Sequence, residues 1–220
     1  PDAFVPSEEL DLFLARKTAS SAMVEDLSML PIPFAAPATN LVTGKRVVMQ
    51  KDCTLSQAMR ASMSVPGAFS PAKRGDDLLV DGGLVDNLPV ELAREMGADI
   101  VIAVNVGTPL SGREQLNDVV GVMSQMVNLL TEQNVTASLA SLSDRDILIR
   151  PELKDYTSAD LDKGREIIAV GEAAGRAAAD RLKVLAVGRQ EWTAWNHART
   201  QSFVNFDRSP KVITEIRVAQ

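Results

Sequence analysis

The first half of the chain alternates short apolar runs with polar turns, and this pattern predicts strands interleaved with helices. Two apolar stretches, residues 34–41 and 46–49, flank a Thr-Gly dipeptide and predict a pair of strands joined by a turn. Thr54 is followed three residues later by Gln57, a capping-box signature that predicts a helix over residues 55–62. Strand, turn and helix therefore follow one another in close order.

The second half continues this alternation. Residues 78–80 predict a short buried strand, followed by a glycine turn and a helix that begins at Pro89. Residues 99–106 form an unalternating apolar run, which is typical of a strand covered on both faces. The remaining predicted elements are a helix from 114 to about 130, a strand at 146–150 and a long helix from 158 to 186. Strands that alternate with helices indicate an α/β fold, with helices on both faces of a mostly parallel central sheet.

The character of the sequence changes near residue 188. The preceding long helix carries Gly171 and Gly175 amid charged residues, a spacing that favours close helix packing in water over packing in a membrane. The polar stretch that follows has no strong period and contains four aromatic residues, Trp192, Trp195, Phe203 and Phe206. Residues 212–218 alternate as in a half-buried strand, which needs a partner to pair with. We therefore predict a main domain over residues 1–188, a linker over 189–211 and the first strand of a following domain over 212–220.

Composition narrows the function classes. With 220 residues, 45% of them apolar, the chain can bury a core, and its net charge of -6 leaves no basic surface for nucleic acid. The single cysteine, Cys53, excludes an internal disulfide and predicts a packing role. No clustered His or Cys residues suggest a metal site, and nothing implies a cofactor. No apolar run approaches the ~20 residues that a membrane-spanning helix needs.

The triplet Asp81-Gly82-Gly83 is the strongest candidate for chemistry. A carboxylate that ends a buried strand is held rigidly, and two glycines after it leave room for a substrate or another loop. The surrounding blocks, residues 61–71, 79–90 and 96–104, resemble the second half of the patatin-like phospholipase domain. The resemblance extends more loosely from about residue 31 to the end of the long helix.

This resemblance implies a lipid acyl hydrolase, a phospholipase A or esterase, that uses a Ser-Asp dyad. Asp81 matches the dyad aspartate, and Gly82 and Gly83 form the turn that supports it. The family's serine lies in a G-x-S-x-G elbow, and a glycine-rich loop forms its oxyanion hole; neither motif occurs in these 220 residues. The chain would thus need the upstream half of the same domain as its partner, with a phospholipid or another lipid ester as substrate.

Other polar residues have simpler interpretations. The only histidine, His197, lies in the tail, so a dyad without histidine fits better than a Ser-His-Asp triad. Ser62 and Ser64 flank a helix end, where hydroxyls bond the local backbone, and a structural role is favoured for both. Asn40 stands where the family pattern A-T-D has an aspartate, which leaves the geometry of that loop open.

Three features favour one branch of the family: residues 108–110, the strand at 146–151 and the continuation past the long helix. Together they resemble bacterial patatin-like proteins that are secreted as fusions to a transport-associated domain and an outer-membrane barrel. Secretion or a place at the bacterial cell surface would follow. The alternatives are a cytoplasmic patatin-like esterase and a non-catalytic binding or dimerisation module, the latter with a homodimer built on the tail aromatics.

Overall fold

A computed structural model of the chain describes residues 7–107, 110, 112–154, 156 and 160–204. Within these residues the strands are β1 (Ala36–Asn40), β2 (Arg46–Met49), β3 (Ala72–Arg74), β4 (Asp77–Asp81), β5 (Ile102–Val104) and β6 (Ile147–Ile149). The α-helices are α1 (Ser7–Lys17), α2 (Leu55–Ser62), α3 (Gly83–Asp86), α4 (Val90–Glu95), α5 (Val119–Ala140), α6 (Gly164–Ala177), α7 (Ala179–Lys183) and α8 (Arg189–Val204). The mixed α/β content agrees with the predicted class. Single turns of 3₁₀ helix lie at Ala19–Ser21, Leu27–Met29, Arg113–Gln115 and Leu161–Lys163.

Strands β1 to β4 form a four-stranded sheet in the order β2-β1-β4-β3, and every neighbouring pair is antiparallel. The prediction of a mostly parallel central sheet is therefore not confirmed. The physical reason lies in the connections: β1 joins β2, and β3 joins β4, through turns too short for the crossover that parallel strands require. The predicted strand pair over residues 34–49 and the strand at 78–80 are confirmed as elements.

A second, two-stranded sheet pairs β5 with β6 in parallel, with Ala103 opposite Leu148. The interpretation of residues 99–106 as a strand covered on both faces is wrong for the described residues. Ala103 is buried, whereas Ile102 and Val104 are 47% and 46% exposed. The strand thus alternates between a buried and an open face, although its sequence is apolar throughout.

Two apolar cores hold these layers. One packs α2 against the four-stranded sheet, with Leu27, Met49, Ala58 and Leu79 at its centre. Cys53 is buried in this core as a free thiol, which confirms its predicted packing role. The other core is built from Leu88, Val90, Val101, Ala103 and Val135, and joins α4 and α5 to β5.

The helix predicted over residues 158–186 is divided. Leu161–Lys163 is a 3₁₀ turn, and α6 and α7 are separated at Ala178, while residues 157–159 lie outside the described part. Neither α6 nor α7 has a buried residue. A Cβ added at Gly171 or Gly175 would meet no atom within 4 Å. The close packing expected of this glycine face is therefore not found among the described residues.

The segment predicted as a linker begins with a helix, α8. The rings of Trp192 and Trp195 lie 5.1 Å apart, and both side chains are about half exposed. The Arg199 guanidinium stacks 4.5 Å from the Trp195 ring. The domain boundary near residue 188 stays a prediction, and the strand predicted at 212–218 lies outside the described residues.

Asp146 fixes the second sheet to the helices around it. Its carboxylate accepts hydrogen bonds from the Val101 N–H at 2.7 Å and from the Ser143 N–H and hydroxyl, and it pairs with Arg94 at 2.5 Å. The Arg181 guanidinium donates to its backbone carbonyl at 2.6 Å. These hydrogen bonds, that of Val101 foremost, hold the pKa of the buried Asp146 carboxyl well below its usual range.

Asp146→Ala is expected to lower the free energy of unfolding by about 2–5 kcal/mol, because it leaves buried donors without an acceptor. A carboxyl with a lowered folded-state pKa stabilises the fold above its unfolded-state pKa and loses that effect as the pH falls. The difference between wild type and variant, measured by urea denaturation, should therefore shrink below about pH 4. Asp144→Ala, at an exposed neighbour, serves as the matched control; an equal loss in both variants would contradict the prediction.

Candidate active site

Asp81 is the last residue of β4, an interior strand of the four-stranded sheet. Its N–H donates to the Ser64 carbonyl at 3.0 Å, and its carbonyl accepts from the Thr39 hydroxyl at 2.7 Å. Pairing with Ala38 of β1 completes the backbone contacts. Asp81 therefore lies at the carboxyl end of a central strand, as the sequence predicts, with its backbone held from both sides.

The Asp81 carboxylate is partly buried and has one fixed oxygen. Oδ1 accepts from the Gly83 N–H at 2.6 Å. Within the described residues, no other hydrogen bond and no ion pair involves this carboxylate. Burial raises the pKa of the Asp81 carboxyl above its ordinary value, and the bond from Gly83 offsets only part of that rise. Such a carboxylate keeps one oxygen available to accept a proton.

Gly82 and Gly83 form a tight strand-to-helix junction, in which a side chain on Gly82 would meet backbone and one on Gly83 would meet neighbouring side chains. A Cβ on Gly82 would lie 2.1 Å from the Pro37 carbonyl oxygen, and one on Gly83 would lie 2.9 Å from Oδ1 of Asp81. Gly82 has a φ of -67°, so close approach, and not left-handed backbone, requires the glycine. The predicted turn is thus the beginning of helix α3.

Asn134 of α5 holds this junction from the other side. Its amide donates to the Gly83 carbonyl at 2.9 Å, and its oxygen accepts from the Asn87 N–H at 2.8 Å. Both ends of α3 are therefore bonded to one side chain that lies 51 residues from Gly83 in the sequence. Sequence reasoning missed Asn134, since a lone polar residue on a long helix gives no local signal of such a contact.

Two cavities reach Asp81. The larger has a volume of about 630 Å³, and its mostly apolar wall includes Val65, Leu88, Met123 and Val127. The smaller has a volume of about 470 Å³ and is lined by residues of β1, α2 and α3, Ser62 among them. Asp81 thus lines both cavities.

Within the described residues, no side chain of the other sequence candidates bonds the Asp81 carboxylate. The Ser64 hydroxyl donates to the Arg60 carbonyl at 2.6 Å and accepts from the Arg60 guanidinium, which confirms its structural role. Ser62 lines the smaller cavity, and its carbonyl accepts from the Gly82 N–H at 3.2 Å. No serine hydroxyl of the described residues bonds Asp81. His197 is exposed on α8 and lines neither cavity.

Asn40 keeps its loop in order without the charge of an aspartate. Its side-chain oxygen accepts from the N–H groups of Val42 and Thr43 at 2.9 and 3.0 Å. Its amide donates to Asp77 Oδ1 at 2.7 Å, a contact that a carboxylate could not make without repulsion. The departure from the family pattern therefore has a local partner in Asp77, at the other end of β4.

These features place a partly buried carboxylate at a strand end, in a residue that lines a mostly apolar cavity. Residues 2–94, which include Asp81 and both glycines, match the family model for patatin-like phospholipase. The chain is 32% identical over 181 residues to the mouse patatin-like phospholipase domain-containing protein 7, covering 71% of this chain and 13% of that protein. Parts of the chain are therefore similar to patatin-like phospholipases.

Two further proteins are similar to parts of this chain. Lysophospholipase NTE1 of Coccidioides immitis is 35% identical over 147 residues, which cover 57% of this chain and 9% of that protein. An uncharacterised NTE family protein of Mycobacterium bovis is 40% identical over 86 residues, 39% of this chain and 24% of that protein. The chain thus spans a quarter or less of these relatives. Among the described residues, no helix combines the length and the apolar character needed to cross a membrane.

Proposed function

We propose that this chain supplies the catalytic aspartate, Asp81, of a patatin-like lipid acyl hydrolase that works with a Ser-Asp dyad. The observation that carries the proposal is the state of the Asp81 carboxylate. One oxygen is fixed by Gly83, the other has no partner among the described residues, and burial raises the pKa of the group. A general base needs this combination of fixed position, free oxygen and raised proton affinity.

In the proposed reaction, Asp81 takes the proton of a serine hydroxyl as the serine oxygen attacks the ester carbonyl. The carbonyl becomes an oxyanion, its collapse expels the lipid alcohol, and the proton from Asp81 passes to that alcohol. Water, activated by the same carboxylate, then hydrolyses the acyl-serine and regenerates the dyad. Because no G-x-S-x-G motif occurs in the chain, we infer that the serine and the oxyanion donors come from an upstream half of the same domain.

The larger cavity suits the acyl part of a phospholipid or another lipid ester. Its wall carries Val65, Leu88, Val104 and Val127, and no Lys, Arg or His among the described residues lines it. An acyl chain in this space would exchange water for apolar contacts at about 0.8 kcal/mol per buried CH₂ group. Asp81 would then lie beside the carbonyl end of that chain.

The branch of the family and the cellular location of the protein stay predictions. The secreted-fusion hypothesis depends on residues 108–109 and 212–218, which lie outside the described part of the chain. The comparisons give it no support, and a cytoplasmic esterase is compatible with them. A non-catalytic module is the second candidate, favoured by the half-exposed Trp192 and Trp195, which could form a contact with a second copy.

The full-length protein is expected to hydrolyse a fluorogenic phospholipid or lysophospholipid ester, whereas the 220-residue chain alone is not, since it lacks the nucleophile. Product release measured in the presence and absence of a serine-reactive fluorophosphonate tests both statements. Circular dichroism of the isolated chain controls for its folding. Turnover by that chain alone would contradict the dyad as proposed, and an inactive full-length protein would favour the binding module.

A further inference from the structure

Arg60, in the last turn of α2, is a buried cation that contacts polar groups of α1 and of the loop after α2. Its guanidinium donates to the Ser64 hydroxyl and to the Ser70 carbonyl, the latter at 3.0 Å. Its Nε lies 3.0 Å from a carboxylate oxygen of Asp11 on α1. Only 8% of Arg60 is exposed, and its guanidinium lies 5.9 Å from the Phe69 ring.

The segment after α2 connects this cation to Asp81. Ser64 is fully buried, and its carbonyl is the acceptor of the Asp81 N–H. Two residues earlier, the Ser62 carbonyl accepts the Gly82 N–H. The carbonyls of Ser62 and Ser64 therefore hold the backbone at the end of β4. Arg60 in turn fixes the position of Ser64.

The same cation also spans the loop between Ser64 and Ser70. Four residues of this loop, Val65, Pro66, Gly67 and Ala68, line the larger cavity. Because Arg60 bonds both ends of the loop, it sets the distance between them. A lysine at this position would keep the charge, but it has no planar fork to bond both ends at once.

We propose that Arg60 is a positioning residue for the hydrolase site, acting through Ser64 on the placement of Asp81; this inference rests on the proposed function. Burial of a guanidinium carries a desolvation penalty, and for stability alone an apolar side chain of similar volume serves as well or better. The planar guanidinium of Arg60 fixes the position of Ser64, whose carbonyl accepts the Asp81 N–H. An apolar side chain could not form the hydrogen bond to Ser64.

The test compares Arg60→Lys, Ser64→Ala and the double variant in the full-length protein. Ser64→Ala removes the hydroxyl that Arg60 bonds and keeps the carbonyl that Asp81 bonds. Each single variant is expected to lower kcat by about 10- to 100-fold, because a misplaced reacting group costs rate, while KM changes little. The double variant should lose less rate than the product of the two single losses, since both changes break the bond between Arg60 and Ser64.

Arg94→Lys is the matched control, because Arg94 also pairs with a buried carboxylate but lines neither cavity. It should lower Tm with kcat unchanged. All rates are measured at a temperature where circular dichroism shows each variant fully folded. A lower Tm with unchanged kcat in Arg60→Lys and Ser64→Ala would overturn the positioning role. Additive losses in the double variant would do so as well. Full activity of Asp81→Asn would instead reject the proposed function itself.

Discussion

Replacing Asp81 by asparagine is expected to lower kcat of the full-length protein by about 10²- to 10⁴-fold, the usual contribution of a general base. The amide has the shape of the carboxylate and can still accept the Gly83 N–H, but it cannot take the serine proton. Stopped or continuous assays with a fluorogenic lipid ester measure the loss. Asp76→Asn, in the exposed turn between β3 and β4, is the matched control and should keep wild-type turnover.

The pH dependence of activity and stability in wild type and Asp81→Asn separates a catalytic from a structural role of Asp81. Wild-type kcat/KM should rise with pH through the raised pKa of Asp81, because only the ionised carboxylate is a base. A raised folded-state pKa also means that stability is lost as the pH rises through it. At neutral pH the asparagine variant therefore avoids a burial cost, and its Tm should equal or exceed that of wild type. Near-normal turnover, or a loss explained by a lower Tm, would reject the dyad.

Elements with a strong local signal could be predicted from the sequence. Helix α2 begins and ends where the pattern places it, since Thr54 and Gln57 cap each other's backbone groups within four residues. The helix from Val90 ends before Gly97, whose φ of 94° suits glycine. In both places the decisive contacts are between near neighbours, so the sequence contains the information.

Features that depend on distant partners could not be predicted. The apolar run at residues 99–106 does not show that Ile102 and Val104 face an open side, because exposure depends on which elements cover the strand. The direction of the main sheet depends on pairing across tens of residues, such as Thr39 with Val80. Helix α8 has no regular apolar face, and a period-based prediction therefore missed it.

The residues of the candidate site fall into the same two groups, those with a local sequence signal and those whose partners are distant in the sequence. Asp81 and its glycines could be predicted as candidate site residues because neighbouring blocks resemble a known family and because a strand followed by two glycines is a local pattern. Arg60 and Asn134, which hold the site from outside, were not found. Their partners are carbonyls and hydroxyls brought close by the fold, and an arginine or asparagine on a helix is ordinary as sequence.

Gly82→Ala is expected to damage both stability and activity, more than any other single methyl group added near the site. The new Cβ would lie 2.1 Å from the Pro37 oxygen and 2.6 Å from its carbonyl carbon. Both atoms are backbone of β1, so relief requires the strand or the Asp81 junction to move. Overpacking of this kind costs about 1–3 kcal/mol of unfolding free energy, and a shift of about 1 Å at a catalytic group can cost 10²-fold in rate.

Urea denaturation and kcat at a temperature where the variant stays folded measure the two effects separately. Gly171→Ala is the matched control, since its added methyl group meets no atom within 4 Å and replaces a helical glycine. That control should stabilise the protein by about 0.5–1 kcal/mol and leave kcat unchanged. If folded Gly82→Ala keeps wild-type kcat, the close contact with Pro37 does not position Asp81. The position of Asp81 would then depend on the hydrogen bonds that the Ser62 and Ser64 carbonyls accept.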